Sequence, residues 1–530
     1  MSAQPWIKYY PPGALDELGM SGRRLPDLLT DATAKFPTRT ALTTSTESWT
    51  FERLAAEARK FAEGFRSAGA GQGARVAILL PNMPEYVAAL FGTWIAGAAV
   101  VQVNPAYVAP EIERILAHSG PSVLVTTQEQ MQKMADGGVK PDMTVFLVGD
   151  SGGAAVVPVE AVDACAKGLE WPDLPSHVAV LQYTGGTTGM PKAVMLSHEN
   201  ILSNIEQRLR LTFKAMQVPV AAKIVNALPM CHVFGLTCVT LMGVSTGMNQ
   251  LIVPRFQVRT VLELIRDARP FAFFGVPTMY AAFLRETDLE EFGLDRVPVF
   301  NSAGAPMPLA QLARFESRVG AKVLDGFGIS EASPTTHTNP TFLTRRAGSS
   351  GIPVPFTEVR TLVPGSDELV DVAPGEPGEL AIRGPQIMQG YWGDPELTAH
   401  TLRDGWLLTG DLARIDADGY LYIVGRLKEV IVASGYNVYP AEIERVIAQV
   451  EGVAEVGVVG IPDEYRGQTV KAVIAAVPGA TIDRDAVIAR CRAELAPFKV
   501  PTVLEILEEL PKTAVGKIDK LRLTPPKSSS

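Results

Sequence analysis

The stretch "RVAILLPNMPEYVAALFGTWIAGAAVVQV", residues 75–103, decides the fold class. Its two ends, 75–80 and 98–103, are continuous apolar runs of strand length, and the residues between them, 85–96, have the length and composition of a buried helix. Strands that are apolar on both faces belong to parallel sheets covered by helices, and parallel strands need a crossover connection. The stretch therefore predicts a βαβ unit.

The alternation of apolar strands with helices extends well beyond this unit, so the predicted class is α/β. A helix at 110–119 and a strand at 122–126 come next, and a second series begins after a strand that ends near Tyr183. That series consists of helices and strands predicted at 199–210, 224–229, 233 onward, 250–254, 257–268 and 271–275. We expect two similar α/β layers, then short strands and turns around 363–380, then a compact module after 431.

The composition is typical of a globular protein that does not bind nucleic acid. With 530 residues, 47% of them hydrophobic, the chain is long enough for two or more domains. The net charge of −9 and the lack of a basic cluster argue against a nucleic-acid partner. The four cysteines have no zinc-binding spacing and no signal peptide is recognisable, so we expect reduced thiols and a cytoplasmic protein.

One segment is long enough to cross a bilayer, because residues 224–254 contain no Asp, Glu, Lys or Arg. However, Pro229, His232 and Asn249 interrupt its apolar character. We interpret it as a buried helix followed by a buried strand, and we do not expect an integral membrane protein.

A second stretch, "YTGGTTGMPK" at 183–192, follows a predicted strand and precedes a helix that Ser197 is expected to cap. Open α/β sheets bind ligands at the carboxyl ends of their strands. Backbone N–H groups of a glycine-rich loop form an anion-binding concavity, to which threonine hydroxyls add donors. The stretch predicts a phosphate-binding loop, although a flexible polar loop has the same composition. It fits neither GxxxxGK[ST] nor GxGxxG.

Six motifs in one order resemble those of the adenylate-forming superfamily, which includes acyl-CoA synthetases, aryl-CoA ligases, luciferases and adenylation domains of peptide synthetases. They are "YTGGTTGMPK" (183–192), "NSAGAPM" (301–307), "DGFGISE" (325–331), "LLTGDL" (407–412), "GRLK" (425–428) and "LPKTAVGKI" (510–518). The resemblance covers nearly the whole chain. With "SGYNVYPAEIE" (434–444), it is most similar to bacterial long-chain fatty acyl-CoA ligases.

The resemblance implies a domain organisation. A large N-terminal domain, 1–427, would contain two α/β subdomains and a small β-barrel-like part. A small mobile α+β C-terminal domain, 428–530, would rotate about a hinge near Lys428. The assembly would be a monomer or a homodimer.

The resemblance also assigns the nucleotide contacts. The β and γ phosphates of ATP would lie on the first motif, on Thr184, Gly185, Gly186, Thr187, Thr188 and Lys192. The adenine of ATP or AMP would lie along Gly304, Ala305, Pro306, Asp325 and Gly326, with Phe327 stacking on it. Ser330 would donate to the α-phosphate, Asp411 would accept from the ribose hydroxyls and Arg426 would lie near the ribose. Glu331 would hold Mg²⁺, because a carboxylate otherwise repels a triphosphate.

Two half-reactions follow from this resemblance. Lys517 would be the catalytic lysine of adenylation, in which a carboxylate attacks the α-phosphate. In the second half, rotation of the C-terminal domain would remove Lys517 and bring Gly435 to the border of a tunnel for the pantetheine of coenzyme A. Phe498 and Lys499 would contact the CoA nucleotide.

The acid is expected to be hydrophobic. His232 in "ALPMCHVFGL" (227–236) is at the position where acyl- and aryl-CoA ligases carry a histidine beside the carboxylate, although a lone histidine among apolar residues is more often a core residue. Amino-acid-activating relatives place an aspartate in this region, and no acidic residue lies between Lys223 and Arg255. The small apolar residues nearby favour a wide pocket for a fatty or bulky alicyclic acid.

Three departures from the family pattern leave alternatives open. Ala193 replaces a usual glycine, Phe327 a tyrosine and Ser330 a threonine. One alternative is a protein that performs mainly the thioester half on a supplied adenylate. Others are an adenylate former that loads a carrier-protein thiol or reacts with oxygen, and a non-catalytic sensor. The presence of Glu331, Asp411, Arg426 and Lys517 argues against the sensor.

Overall fold

The computed structural model describes residues 4–149, 158–159, 174–175, 177–184, 192–213, 218–340, 344–366, 368–433, 436–463, 466–477, 479–513 and 517–524. Its α-helices are α1 Leu25–Lys35, α2 Phe51–Ser67, α3 Pro84–Ala96, α4 Ala109–Ser119, α5 Gln128–Asp136, α6 His198–Arg208, α7 Val233–Gly235, α8 Met242–Thr246, α9 Val258–Ala268, α10 Pro277–Leu284, α11 Leu309–Val319, α12 Pro395–Thr401, α13 Pro440–Ile447 and α14 Arg484–Glu494.

The strands of the first half are β1 Thr40–Thr43, β2 Ser48–Thr50, β3 Arg75–Leu79, β4 Ala99–Gln102, β5 Val123–Thr127, β6 Thr144–Val148, β7 Pro158–Val159, β8 Val178–Thr184, β9 Lys192–Ser197, β10 Lys223–Asn226, β11 Asn249–Ile252, β12 Ala272–Gly275 and β13 Val299–Ser302. Those of the second half are β14 Val323–Gly328, β15 Thr335–Thr338, β16 Ile352–Pro353, β17 Glu358–Leu362, β18 Gly378–Arg383, β19 Gly390–Tyr391, β20 Leu402–Arg403, β21 Trp406–Ile415, β22 Leu421–Arg426, β23 Ile431–Ala433, β24 Tyr436–Val438, β25 Val453–Asp463, β26 Gly467–Ala476 and β27 Val503–Leu507.

The predicted βαβ unit is confirmed. Strands β3 and β4 pair in parallel, with Val76 opposite Val100, and α3 connects them. All five residues of β3 are buried, as expected for a strand covered on both faces. This unit belongs to an eight-stranded sheet with the order β19-β9-β8-β4-β3-β5-β6-β7.

The predicted second α/β layer is a nine-stranded sheet with the order β16-β15-β14-β13-β12-β10-β11-β1-β2, parallel from β14 through β1. One hydrophobic core joins the two sheets, because Leu42 of β1, Val76 of β3 and residues of α1, α2 and α3 belong to the same cluster. The helices thus pack between the sheets.

Two smaller sheets complete the fold. Strands β17, β18, β20, β21 and β22 form an antiparallel sheet, which is the predicted small barrel-like part. Strands β23 to β27 form the C-terminal sheet, and α13 and α14 share one core with it. Lys428 lies between these sheets, in the 3-10 turn Leu427–Glu429.

The prediction that the glycine-rich loop leads from a strand directly into a helix is wrong. Strands β8 and β9 form an antiparallel hairpin in which Thr184 lies opposite Lys192. The apolar run after Lys192 is long enough to add a strand at this side of the sheet before the chain enters α6. Ser197 caps α6 as predicted, and the Asn200 N–H donates to its Oγ at 3.0 Å.

The uncharged segment 224–254 forms β10, a helical run from α7 through a π-helical stretch to α8, and β11. Val225, Leu241 and Leu251 in it are buried in the protein core. Within the part of the chain that the structure describes, no helix combines the length and the apolar character that a membrane crossing needs.

Candidate active site

A cleft of about 2760 Å³ opens where the carboxyl ends of β12, β13 and β14 meet the barrel-like part and the C-terminal module. Its walls contain most of the predicted site residues. They are Thr184, Lys192, His232, Gly304, Ala305, Pro306, Asp325, Gly326, Phe327, Ser330, Glu331, Asp411, Arg426, Lys428 and Lys517. Residues from six separate motifs thus come together only through the folded chain.

Asp411 and Arg426 form one wall of the cleft. They lie opposite each other on β21 and β22, and Arg426 Nε is 3.0 Å from Asp411 Oδ1. Asp411 is 3% exposed, and its second carboxylate oxygen, Oδ2, has no hydrogen-bond partner among the described residues. Burial raises the pKa of Asp411 to about 6, against the lowering effect of Arg426. A buried acceptor without a donor fits a ligand hydroxyl.

Glu331 lines the same cleft, in the 3-10 turn Ser330–Ala332. The Tyr391 hydroxyl donates to Glu331 Oε1 at 2.8 Å, and the Lys192 ammonium is 5.6 Å from the centre of the Tyr391 ring. Burial and the Glu331 charge both raise the pKa of Tyr391, so its hydroxyl remains a donor. Sequence reasoning missed Tyr391, because it lies 60 residues from Glu331 in a segment without a recognised pattern.

The donor set around Glu331 fits a magnesium ion that arrives with a nucleotide. Magnesium in such sites takes one or two carboxylate oxygens, and phosphate and water oxygens complete its coordination. Among the described residues, no group of three or more His, Cys, Asp or Glu side chains could form a complete protein metal site. Glu331 is one carboxylate of the cleft that could share the ion with a ligand.

His232 precedes α7 and presents one defined ring tautomer to the cleft. The Phe234 backbone N–H donates to His232 Nδ1 at 3.3 Å, so the neutral ring carries its proton on Nε2. Burial lowers the pKa of His232 to about 4, and the Lys517 charge adds to the effect. His232 is therefore a neutral donor near pH 7.

Lys517 reaches the cleft from the C-terminal module. The Thr513 N–H donates to the Lys517 carbonyl at 2.7 Å, and the Lys517 N–H donates to Thr513 Oγ1 at 3.2 Å. The side chain keeps contact with solvent in the cleft. Burial within the cleft and the Arg426 charge lower its pKa, whereas Asp411 opposes this change. The module thus carries one ammonium group to the Asp411–Arg426 wall.

Phe327 and the turn at Gly304 form a flat, partly apolar wall. Gly304 has a φ of +85°, a conformation that favours glycine. The Phe327 ring centre is 6.3 Å from that of His337 on β15. Burial raises the pKa of Asp325, at the end of this wall, to about 7. Such a wall can hold a planar heterocycle.

Several predicted residues are not part of this arrangement. Phe498 and Lys499 do not line the cleft: the Phe498 ring stacks on Tyr436 with centres 4.4 Å apart, and Lys499 pairs with Glu442 at 2.7 Å. Their role toward CoA stays a prediction. Gly185, Gly186, Thr187, Thr188 and Gly435 lie outside the described residues. Ala193 is buried in β9, so its methyl group packs in the core.

Comparisons with known proteins show the family of the chain. Residues 29–392 match the family described as AMP-binding enzyme, and residues 442–517 match the AMP-binding enzyme C-terminal domain. A long-chain-fatty-acid–CoA ligase of Bacillus subtilis (strain 168) is 37% identical over 551 residues, which is 98% of each chain.

Two further proteins are similar over most of their length. A feruloyl-CoA synthase of Amycolatopsis sp is 36% identical over 488 residues, covering 91% of this chain and 95% of the relative. The crystal structure of the anthranilate CoA ligase AuaEII in complex with anthranoyl-AMP superimposes with a TM-score of 0.84 at 26% identity, covering 94% of this chain and 96% of the other.

Proposed function

Because the chain belongs to the AMP-binding enzyme family, we propose that it is an ATP-dependent, AMP-forming acyl-CoA ligase. It activates a hydrophobic carboxylic acid as an acyl-adenylate and transfers the acyl group to coenzyme A. The observation that carries the proposal is that Asp411, Arg426, Glu331, His232 and Lys517 line one cleft.

The nucleotide is held at both ends. The free Oδ2 of Asp411 accepts from a ribose hydroxyl, and Arg426 keeps the carboxylate in place through Oδ1. Phe327 stacks on the adenine, and Lys192 and Thr184 lie toward the phosphates. Glu331 would hold Mg²⁺, which would supply electrophilic stabilisation of phosphate charge.

The acid is oriented by His232. Its Nε2–H donates to a carboxylate oxygen, because Nδ1 already accepts from Phe234. The other carboxylate oxygen attacks the α-phosphate and pyrophosphate leaves. Attack of one anion on another requires positive charge at the reacting oxygens, which Lys517 supplies. Phe234, Val276 and Met307 line the same cleft and favour an apolar acyl group.

Thioester formation needs a different arrangement of groups around the acyl carbonyl. The CoA thiol must approach the acyl carbonyl on the side where Lys517 stands, so the C-terminal domain turns about a hinge at Lys428 after adenylation. The boundary at 427–428 lies in the short turn between β22 and β23. A few backbone dihedral angles there are sufficient for such a rotation.

The proposal also includes the cellular compartment, the oligomeric state and the class of acid substrate. Cys231, Cys238 and Cys491 are buried free thiols, which fits a reducing cytoplasm. A monomer or homodimer is proposed, since each cleft is built from one chain. Relatives of nearly equal identity act on a long-chain fatty acid and on ferulate, so both aliphatic and aryl acids belong in the test.

The test measures the two half-reactions separately. Purified protein, MgATP and a panel of aliphatic, aryl and polycyclic acids are assayed for acid-dependent ATP–pyrophosphate exchange without CoA. Acyl-CoA is then measured by mass spectrometry after CoA is added. We expect exchange and thioester formation with at least one apolar acid.

Other outcomes identify the alternatives. Thioester from a supplied acyl-adenylate without exchange would identify a protein specialised for the second half. Exchange without any acyl-CoA would indicate a carrier-protein thiol as acceptor. The absence of all activity would contradict the ligase.

A further inference from the structure

Arg208 is a buried cation that forms no ion pair with any residue that the structure describes. It ends α6, is 4% exposed and lines the cleft. Its Nε and Nη1 atoms have no hydrogen-bond acceptor among the described residues. The next arginine along the chain, Arg210, instead pairs with Glu206 at 2.7 Å. A buried guanidinium with two unsatisfied nitrogens is costly, so its retention requires an explanation.

Arg208 lies on the acid side of the cleft. Its guanidinium carbon is 5.2 Å from the centre of the Phe274 ring, and Phe274 contacts Phe234 with centres 6.3 Å apart. Phe234 follows His232 by two residues and donates to it. The phosphate side, in contrast, is marked by Lys192 and Glu331 around Tyr391.

The helix that carries Arg208 is fixed in position. One turn before Arg208, Asn204 Nδ2 donates to the Thr335 carbonyl at 2.7 Å, and the Thr335 N–H donates to Asn204 Oδ1 at 3.0 Å. Gln207 donates to the Pro355 carbonyl at 2.8 Å. The end of α6 is thus held before any ligand arrives, which lowers the entropic cost of binding one.

The same cleft contains another buried polar atom without a partner. His337 on β15 is fully buried, its Nδ1 contacts Thr336 Oγ1 at 2.9 Å and its Nε2 has no partner among the described residues. Arg208 and His337 are thus two buried polar groups of the cleft, in addition to the charged residues described above.

We propose that Arg208 is a specificity residue that binds a second oxygen function of the acid, distant from the carboxylate that is activated. A carboxylate or a hydroxyl oxygen supplies the required acceptor, and a carboxylate also neutralises the charge. The inference rests on the proposed function. It makes the substrate an apolar acid that carries a second polar group.

The experiment compares acids that differ only in this group. Monocarboxylic, ω-hydroxy and α,ω-dicarboxylic acids of equal length, from the hexanoic to the hexadecanoic series, are assayed by ATP–pyrophosphate exchange. Cinnamic acid and 4-carboxycinnamic acid form an aryl pair. The variants are Arg208→Met, Arg208→Lys and, as a matched control, Arg259→Met, which removes an exposed arginine already paired with Glu286 and Asp288.

The expected result is a reversal of selectivity. The unchanged protein prefers an oxygen-bearing acid of at least one series, and Arg208→Met lowers kcat/KM for that acid by about 30-fold or more. The matched acid without the second group changes by less than about threefold, because it makes no bond to Arg208. Arg208→Lys keeps part of the preference, and Arg259→Met keeps all of it. A preference for the dicarboxylic over the ω-hydroxy acid identifies an anionic group.

A binding measurement is independent of turnover. Without ATP, the oxygen-bearing acid should raise the melting temperature of the unchanged protein and not that of Arg208→Met. Equal losses on both acids, with a lower melting temperature, would make Arg208 structural. Activity on plain acids without any preference would also overturn the inference while the proposed function stands. No exchange with any acid would overturn both.

Discussion

Asp411 illustrates how burial changes the pKa of a single side chain. Its carboxylate is almost completely enclosed, with one oxygen paired to Arg426 and the other without a partner among the residues that the structure describes. Desolvation disfavours the charged form, so the pKa rises to about 6. Donors from a ribose favour the charged form and would restore a lower pKa. If Asp411 binds the ribose as proposed, binding of the nucleotide is linked to the charge of this group.

This linkage predicts a pH dependence. Asp411 is ionised above about pH 6 and becomes protonated as the pH falls through that value, so an acceptor is lost. KM for ATP in the exchange assay is expected to rise, toward about tenfold per pH unit well below the pKa. Asp411→Asn should raise KM at neutral pH by about tenfold and flatten this dependence. An unchanged KM in the variant would contradict the assignment, and the exposed Asp267→Asn is the control.

At the scale of elements, the contact between α2 and α3 shows how close packing depends on one missing side chain. A Cβ on Gly92 of α3 would lie 2.5 Å from Phe61 Cβ and 2.9 Å from the Ala58 carbonyl of α2. Real side chains do not approach so closely, so the two helices would have to separate. These helices fill the core that joins both large sheets.

Gly92→Ala should therefore destabilise the N-terminal domain. The expected loss in free energy of unfolding is about 1–3 kcal/mol, the usual cost of overpacking a core. It can be measured from the midpoint of urea denaturation. Gly71→Ala is the matched control, because a Cβ there meets nothing within 4 Å. Equal midpoints for the two variants would show that the helices adjust without cost.

For the whole molecule, one cleft has to support two reactions in turn. Lys517 belongs to the C-terminal module, yet it interacts electrostatically with Asp411 and Arg426 of the barrel-like sheet. A lysine delivered by a separate module can be withdrawn without disturbing the nucleotide wall. We therefore propose that Lys517 serves only one of the two half-reactions.

Lys517→Ala should consequently separate the half-reactions. ATP–pyrophosphate exchange is expected to fall by about 100- to 1000-fold, the usual effect of losing one group that stabilises developing charge. Thioester formation from synthetic acyl-adenylate and CoA should change by less than about threefold. The surface variant Lys322→Ala serves as the control. Equal losses in both assays would refute the alternation of the two states.

The sequence alone predicted much of the fold, because its signals are local. Continuous apolar runs and helical periodicity identified β3, α3 and β4 within about one residue, and Ser197 was recognised as a helix cap. The motifs indicated the family, and most of the site residues predicted from them that the structure describes line the cleft. The hairpin of β8 and β9 was missed, because strand pairing depends on partners that no short window contains.

The sequence by itself therefore determined the order of most helices and strands and the residue types of the motifs that line the cleft. Both depend on residues close together in the chain. The tertiary structure alone decided which distant groups meet and which remain without a partner. One example is the hydrogen bond from Tyr391 to Glu331. Others are Asp411 Oδ2 and Arg208 Nε and Nη1, which have no hydrogen-bond partner in the part of the chain that the structure describes. The physical reason is burial. In the unfolded chain these groups form hydrogen bonds with water, whereas in the folded chain they depend on the protein groups next to them.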